Sequence, residues 1–136
     1  MKGSCLCGGI AYESGDLIGP IGHCHCKTCR KAHGAAFATT SRVARSAFRW
    51  ISGVELLGSF ESSPGKHRHV CSRCGTRLMA EWEGQDFVIL RLGALDTDPD
   101  QVPAGHIWMS HAVPWLDYGP ELPMYPEGAP QGNDSR

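Results

Sequence analysis

The sequence has almost no surplus of charge of either sign. Its 13 Lys and Arg stand against 14 Asp and Glu, a formal net charge of −1. That balance argues against a general nucleic-acid binder, whose domain is usually strongly basic. The chain also lacks any run of about 18 apolar residues, so no membrane span is expected. Met1-Lys2-Gly3-Ser4 leads directly into a cysteine pair, without the apolar stretch of a secretory leader. A cytoplasmic, reducing compartment is therefore expected, where thiols serve as metal ligands more often than as disulfides. No internal repeat is evident beyond recurring cysteine pairs.

A chain of 136 residues is long enough for one domain with a modest core. With 17 Gly and 9 Pro, it favours turns and short strands over long helices. Residues 10–13 read as the end of a strand that begins near the first cysteine pair. Residues 18–26 read as a second strand broken at Gly19-Pro20, and residues 27–33 as a short helical turn stopped by Gly34. Strand formers recur at 37–43 and 48–51. Two hairpins follow. One joins 56–61 to 66–71 across Ser62-Ser63-Pro64-Gly65, and the other joins 78–82 to 87–92 across Glu83-Gly84-Gln85-Asp86. A last strand is predicted at 106–109. Many short strands at even spacing make an all-β fold, and the polar, Pro/Gly-rich residues 126–136 read as a disordered tail.

What the chain does have is seven cysteines in three tight groups. They stand as Cys5-Leu6-Cys7, Cys24-His25-Cys26-Lys27-Thr28-Cys29 and Cys71-Ser72-Arg73-Cys74. An odd count at such close spacing suits shared metals better than disulfides. Structural zinc takes four protein ligands in a closed tetrahedron, whereas catalytic zinc takes three and keeps one position open. Seven divides into four plus three. Cys5 and Cys7, alternating along a strand, would face one way and join Cys71 and Cys74, with Gly75 permitting the tight turn, in a closed structural site. Cys24, Cys26 and Cys29 would hold the second, catalytic metal. Its fourth position is open to water, a substrate thiol or a local histidine. On an extended segment His23 and His25 leave the opposite face from Cys24 and Cys26, which favours a supporting role for both. An iron–sulfur cluster would need a fourth cysteine and break this division. Lys27, Arg30 and Lys31 could offset the negative charge of a three-thiolate site or hold a substrate carboxylate.

These motifs resemble those of the glutathione-dependent formaldehyde-activating enzymes, a group that includes the centromere protein V-like proteins. Gly3-Ser4-Cys5-Leu6-Cys7-Gly8-Gly9 is similar to the family's opening motif. Cys24-His25-Cys26-Lys27-Thr28-Cys29-Arg30, with Gly34 after it, resembles the middle one, and Val70-Cys71-Ser72-Arg73-Cys74-Gly75 the third. Val70 replaces the usual aromatic without touching a ligand position. Leu92-Gly93-Ala94-Leu95-Asp96 and the stretch from His106-Ile107-Trp108 to Pro114-Trp115 are similar to later family signatures. The resemblance spans residues 3 to about 125 and implies a zinc-bound β-tent domain over 1–125. It also implies two zinc ions per chain and a carbon–sulfur lyase that joins glutathione to formaldehyde as S-hydroxymethylglutathione.

The expected partners are thus a small thiol and an aldehyde, with neither nucleic acid nor membrane among them. Arg30 is the first candidate for binding a carboxylate of the thiol. His33 and His69 are candidates for the proton donor, each set against an ordinary surface or core role; no motif assigns a catalytic acid or base. His106 lines the pocket or fills the core, and Trp108 and Trp115 are expected in the core. The rival reading is a non-enzymatic, zinc-stabilised module that binds a thiol or a protein. A fourth protein ligand on the second metal would favour it. A nucleic-acid-binding zinc ribbon would need a basic, aromatic-rich face that the charge balance does not supply.

Overall fold

The computed structural model describes residues 1–116 and 122–129. Ten short strands, one α-helix and four single-turn 3-10 helices make up its regular structure among the described residues. Strands β1 (Lys2–Ser4), β2 (Ala11–Glu13) and β5 (Arg49–Ser52) form a three-stranded antiparallel sheet in the order β1-β2-β5. The larger sheet contains β3 (Ile21–Cys24), β4 (Ala38–Ala44), β6 (Leu57–Ser63), β7 (Lys66–Cys71), β8 (Arg77–Trp82), β9 (Phe87–Arg91) and β10 (Pro103–Ile107). Its order is β10-β3-β4-β9-β8-β7-β6, antiparallel throughout except for the parallel pair β10–β3. The α-helix, α1 (Lys27–His33), follows β3 directly.

Alternation along the strands divides the large sheet into two faces with different chemistry. Val43 lies opposite Val88, Ser41 opposite Leu90, and Leu90 opposite Met79. These residues share the apolar face, buried with Tyr12 and Ile10 of the small-sheet segment. Each fully buried Leu, Ile or Val contributes roughly 1.5–3 kcal/mol, so this cluster contributes substantially to stability. Tyr12 extends it, its ring 5.2 Å from Phe48 and 6.0 Å from Trp50. The other face carries Cys24 opposite Ala38, Thr40 opposite Arg91, and Ala80 opposite Arg68. Here buried side chains include a thiol and two arginines, Arg68 at 6% and Arg91 at 5% exposure.

The all-β expectation holds, with the helix at 27–33 and both hairpins where the turn residues placed them. Gly34 stops α1 because its φ of 57° is left-handed, and its N–H closes on the Arg30 carbonyl. Three expectations change. Cys5 and Cys7 lie in a turn rather than on a strand. Cys5 N–H bonds to Ile10 O at 3.0 Å and Gly8 N–H to Cys5 O at 2.9 Å, folding the segment back between β1 and β2. The last strand runs from Pro103 to Ile107, because Trp108 takes a left-handed φ of 60° and ends it. Trp108 and Trp115 are 58% and 70% exposed instead of lying in the core. β10, which leads into Trp108, is an edge strand whose residues are all exposed, and Trp108 packs only against the ring of His111, 5.2 Å away, among the described aromatic contacts. Of the predicted tail, residues 126–129 carry no helix or strand, and 130–136 lie outside the described residues.

Candidate functional site

The four-thiol group is built where the two sheets meet. The β1–β2 turn supplies Cys5 and Cys7; the end of β7 and the following turn supply Cys71 and Cys74. All four Sγ atoms lie within 4.8 Å of one another, with Cys5–Cys7 at 3.5 Å and Cys7–Cys71 at 3.8 Å. A tetrahedron with Zn–S bonds of about 2.3 Å has S–S edges of about 3.8 Å, so the residues fit a zinc ion as they stand. Gly75, at a φ of 80°, lets the chain reverse after Cys74 and return its N–H to the Cys71 carbonyl at 2.8 Å. Donors converge on the sulfurs: Ile10 N–H on Cys5, Cys74 N–H on Cys71 and Arg73 Nε on Cys7. Thr76, through its hydroxyl and backbone N–H, pulls the Cys74 thiol down to about 5. Burial pushes Cys5 the opposite way. A dication favours the thiolate form and offsets that burial cost.

The three-thiol group lies on the polar face of the large sheet. Cys24 ends β3, Cys26 caps the N-terminus of α1, and Cys29 sits on the first turns of that helix. The Cys26 sulfur accepts the Cys29 N–H at 3.3 Å, so a thiol replaces the usual hydroxyl or carboxylate cap. Cys24 and Cys29 are buried at 8% and 3% exposure. Burial pushes the Cys24 thiol up to about 12. At Cys29 burial acts the same way, but hydrogen bonds from Cys26 and Arg68 outweigh it and hold the thiol below its ordinary value. Among the described residues, no His, Asp, Glu or further Cys joins these three sulfurs at metal-binding range. The donor set fits a soft cation with one position left over.

His23 and His25 turn away from the thiols, as strand alternation requires. His23 packs on Phe37, and His25, fully buried, hydrogen-bonds through Nε2 to His106 Nδ1 at 2.9 Å. His106 therefore belongs to an imidazole–Phe37 stack rather than to the large cavity or the core.

A cavity of about 690 Å³ opens beside α1, bounded by β6, β7 and β8. Lys27, Lys31, His33 and His69 line it; Arg30 does not. The Arg30 Nε is instead buried without a hydrogen-bond partner among the described residues, and its charge is felt at His25. Burial, reinforced by Arg91, Arg68 and Arg77, holds His33 down at about 4, so near neutral pH it carries no charge to donate as an imidazolium. The His69 Nε2 lies 3.0 Å from Glu81 Oε2.

The residues missed in the sequence are Arg68, Arg91 and Lys66. Arg68 Nη2 lies 3.7 Å from Cys29 Sγ, Nε donates to Ser62 Oγ at 2.8 Å, and Nη1 has no partner among the described residues. Arg91 is lowered to about 10, first by burial and then by Arg68, while the three thiols pull the other way. Lys66 is lowered for the same first reasons. One signal was available: Arg91 ends the apolar run Phe87-Val88-Ile89-Leu90, an unusual place for a cation unless an anion lies opposite.

A family model described as glutathione-dependent formaldehyde-activating enzyme matches residues 1–111. A protein of Schizosaccharomyces pombe named as an uncharacterized lyase is 31% identical over 77 residues, 57% of this chain. The match spans 54% of that protein's length, about half. A crystal structure of a Rhodobacter sphaeroides protein shares the fold at a TM-score of 0.63 and 22% identity, covering 76% of this chain and 98% of that one. With the family's model matched across both cysteine groups, this chain belongs to the glutathione-dependent formaldehyde-activating enzyme family.

Proposed function

We propose that this protein is a zinc-dependent carbon–sulfur lyase that adds a small thiol to an aldehyde, with glutathione and formaldehyde as the pair its family name designates. The name of the fission-yeast relative, a lyase, agrees with this class. The observation that carries the reading is the three-thiol group without a fourth protein donor among the described residues, walled by buried arginines. Cys5, Cys7, Cys71 and Cys74 would hold one zinc as a structural clasp, and Cys24, Cys26 and Cys29 the other. At the second position a zinc ion would supply a Lewis acid that favours the thiolate form of an incoming thiol.

The chain's own residues prepare that step. Three thiolates around a dication leave a net charge of −1, which would repel a second anion. Arg68 and Arg91, buried on the same sheet face, turn the surroundings positive. Arg68 holds Cys29 by its Nη2 and so orients that sulfur. Burial limits water at Cys24 and Cys29. In the reaction the thiol sulfur forms a bond to the carbonyl carbon, the C=O π pair moves to oxygen, and the proton lost by the thiol ends on that oxygen. The balance needs no further reactant.

Titration calorimetry of the zinc-loaded protein with glutathione, in buffers of different ionisation enthalpy, tests this. Binding with proton release is expected, and Cys29→Ala should abolish it. Formation of the adduct above the uncatalysed rate, followed by NMR, should be lost in the same variant. If fully loaded protein neither binds glutathione at millimolar concentration nor accelerates adduct formation, the glutathione reading fails and a zinc-stabilised binding module takes its place.

A further inference from the structure

The cavity beside α1 combines two properties, and glutathione and formaldehyde would use only the second. Its walls are mainly apolar, including Val70, Met79 and the ring of Phe60. Phe60 is 70% exposed on β6, so the fold itself does not bury it. The charged groups on the lining are all of one sign. Lys27, Lys31, Arg68 and Arg77 contribute to it, and neither Asp nor Glu does. Arg68 is nine-tenths buried and keeps Nη1 without a hydrogen-bond partner among the described residues. A guanidinium charge desolvated in this wall costs free energy that an anion bound beside it would offset by its opposite charge. The arginine's Nη2 contact to Cys29 ties this cavity to the three-thiol group.

We infer that the cavity binds a small-molecule carboxylate with an apolar body, its carboxylate on the cations around Arg68 and its hydrocarbon against Val70 and Phe60. The volume, about 690 Å³, is that of a site for a whole metabolite rather than a one-carbon fragment. A surface cleft built only for a hydrophilic tripeptide would have no use for an exposed phenyl ring on its wall. Joined to the function proposed above, on which this extension rests, the inference makes one of the two reactants at the three-thiol site an acid with a hydrocarbon chain or ring. The binding itself depends only on the cavity.

Octanoate and octanamide, which carry neither thiol nor aldehyde, are the probes, titrated into zinc-loaded full-length protein by NMR. Octanoate should bind about tenfold or more tighter than octanamide, the size of one charge-assisted hydrogen bond. Acetate should not compete, for want of the apolar body. Gly58→Leu is the cavity-filling variant, because a Cβ at Gly58 meets only ordinary contacts, the nearest being Val70 at 3.5 Å. It should weaken both ligands several-fold, with zinc content unchanged. Arg68→Gln should bring the two affinities together. Should that variant lose zinc, Arg77→Gln, on the same lining, should narrow the ratio instead. Equal binding of octanoate and octanamide to the wild type, no octanoate binding at millimolar concentration, or Gly58→Leu binding as the wild type does would each overturn the inference. Octanoate binding without glutathione-linked proton release would leave it standing and remove the thiol–aldehyde reading; the reverse result would do the opposite.

Discussion

At the residue scale, charge in the interior explains more than apolar packing does. Arg68 is buried within reach of the Cys29 sulfur, and its loss leaves a thiolate with one donor fewer in a low-dielectric setting. Arg68→Met should therefore weaken zinc at the three-thiol group by about 10–100-fold, the usual cost of losing an outer-sphere partner. Chelator competition on the doubly loaded protein would resolve it, with the four-thiol zinc unaffected. His33 supplies a pH test. Its folded-state value of about 4 lies below the ordinary 6.5, for burial disfavours the imidazolium and three arginines repel it. Between those two values the unfolded chain binds a proton that the folded chain refuses. This contribution to stability is complete above about 6.5, falls as pH drops and levels off near 4. His33→Gln removes it, so urea unfolding of the zinc-loaded variant should show a shallower loss of stability over that window than the wild type. Parallel pH profiles would mean that His33 is not held neutral.

At the scale of single elements, much was legible because the signals were local. The helix of residues 27–33 lies between a capping cysteine and a left-handed glycine, and both are written next to it in the chain. Gly34→Ala should cost about 1–2 kcal/mol, the penalty for a Cβ at positive φ, visible as a lower urea midpoint with an unchanged slope. Since α1 carries Cys29, the same variant should also release the second zinc more readily. The hairpins at 57–71 and 77–91 follow equally from their turn residues. The turn at Cys5-Leu6-Cys7 was not legible. Alternation of two like residues reads as a strand, and only the return of Cys5 N–H to Ile10 O, with Leu6 N–H bonded to Thr76 Oγ1 at 2.9 Å, shows a knuckle instead. Both bonds depend on partners that the local pattern does not name. Trp108 and Trp115 failed as core residues for a similar reason: large aromatics favour burial on average, yet β10 lies at an edge with no described layer above it.

At the scale of the whole molecule, the two thiol groups differ in what they join. The four-thiol group links the β1–β2 turn to the β7–β8 turn and so pins the small sheet to the large one. The three-thiol group is supplied by one segment, 24–29, and crosses no sheet boundary. Cys71→Ser should accordingly cost the fold, since metal binding there is folding energy. Cys26→Ser should leave a folded protein with one zinc fewer. Thermal melts with metal analysis distinguish the two, and equal loss of structure in both would refute the division of roles. The clustering of the sulfurs was readable from the chain, because ligand spacing is a local property: a Cys-x-x-Cys turn or a Cys-x-Cys-x-x-Cys segment brings its own sulfurs together whatever the rest of the fold does. Arg30 was singled out by the same nearness in sequence, yet it lies off the cavity, while Arg68 and Arg91, 39 and 62 positions beyond Cys29, face the thiols. Sheet order and register put them there, through Ala80 opposite Arg68 and Thr40 opposite Arg91. The sequence by itself determined which sulfurs lie together within each segment. Only the tertiary structure decided what charge and what cavity surround them, because those depend on which strands lie side by side.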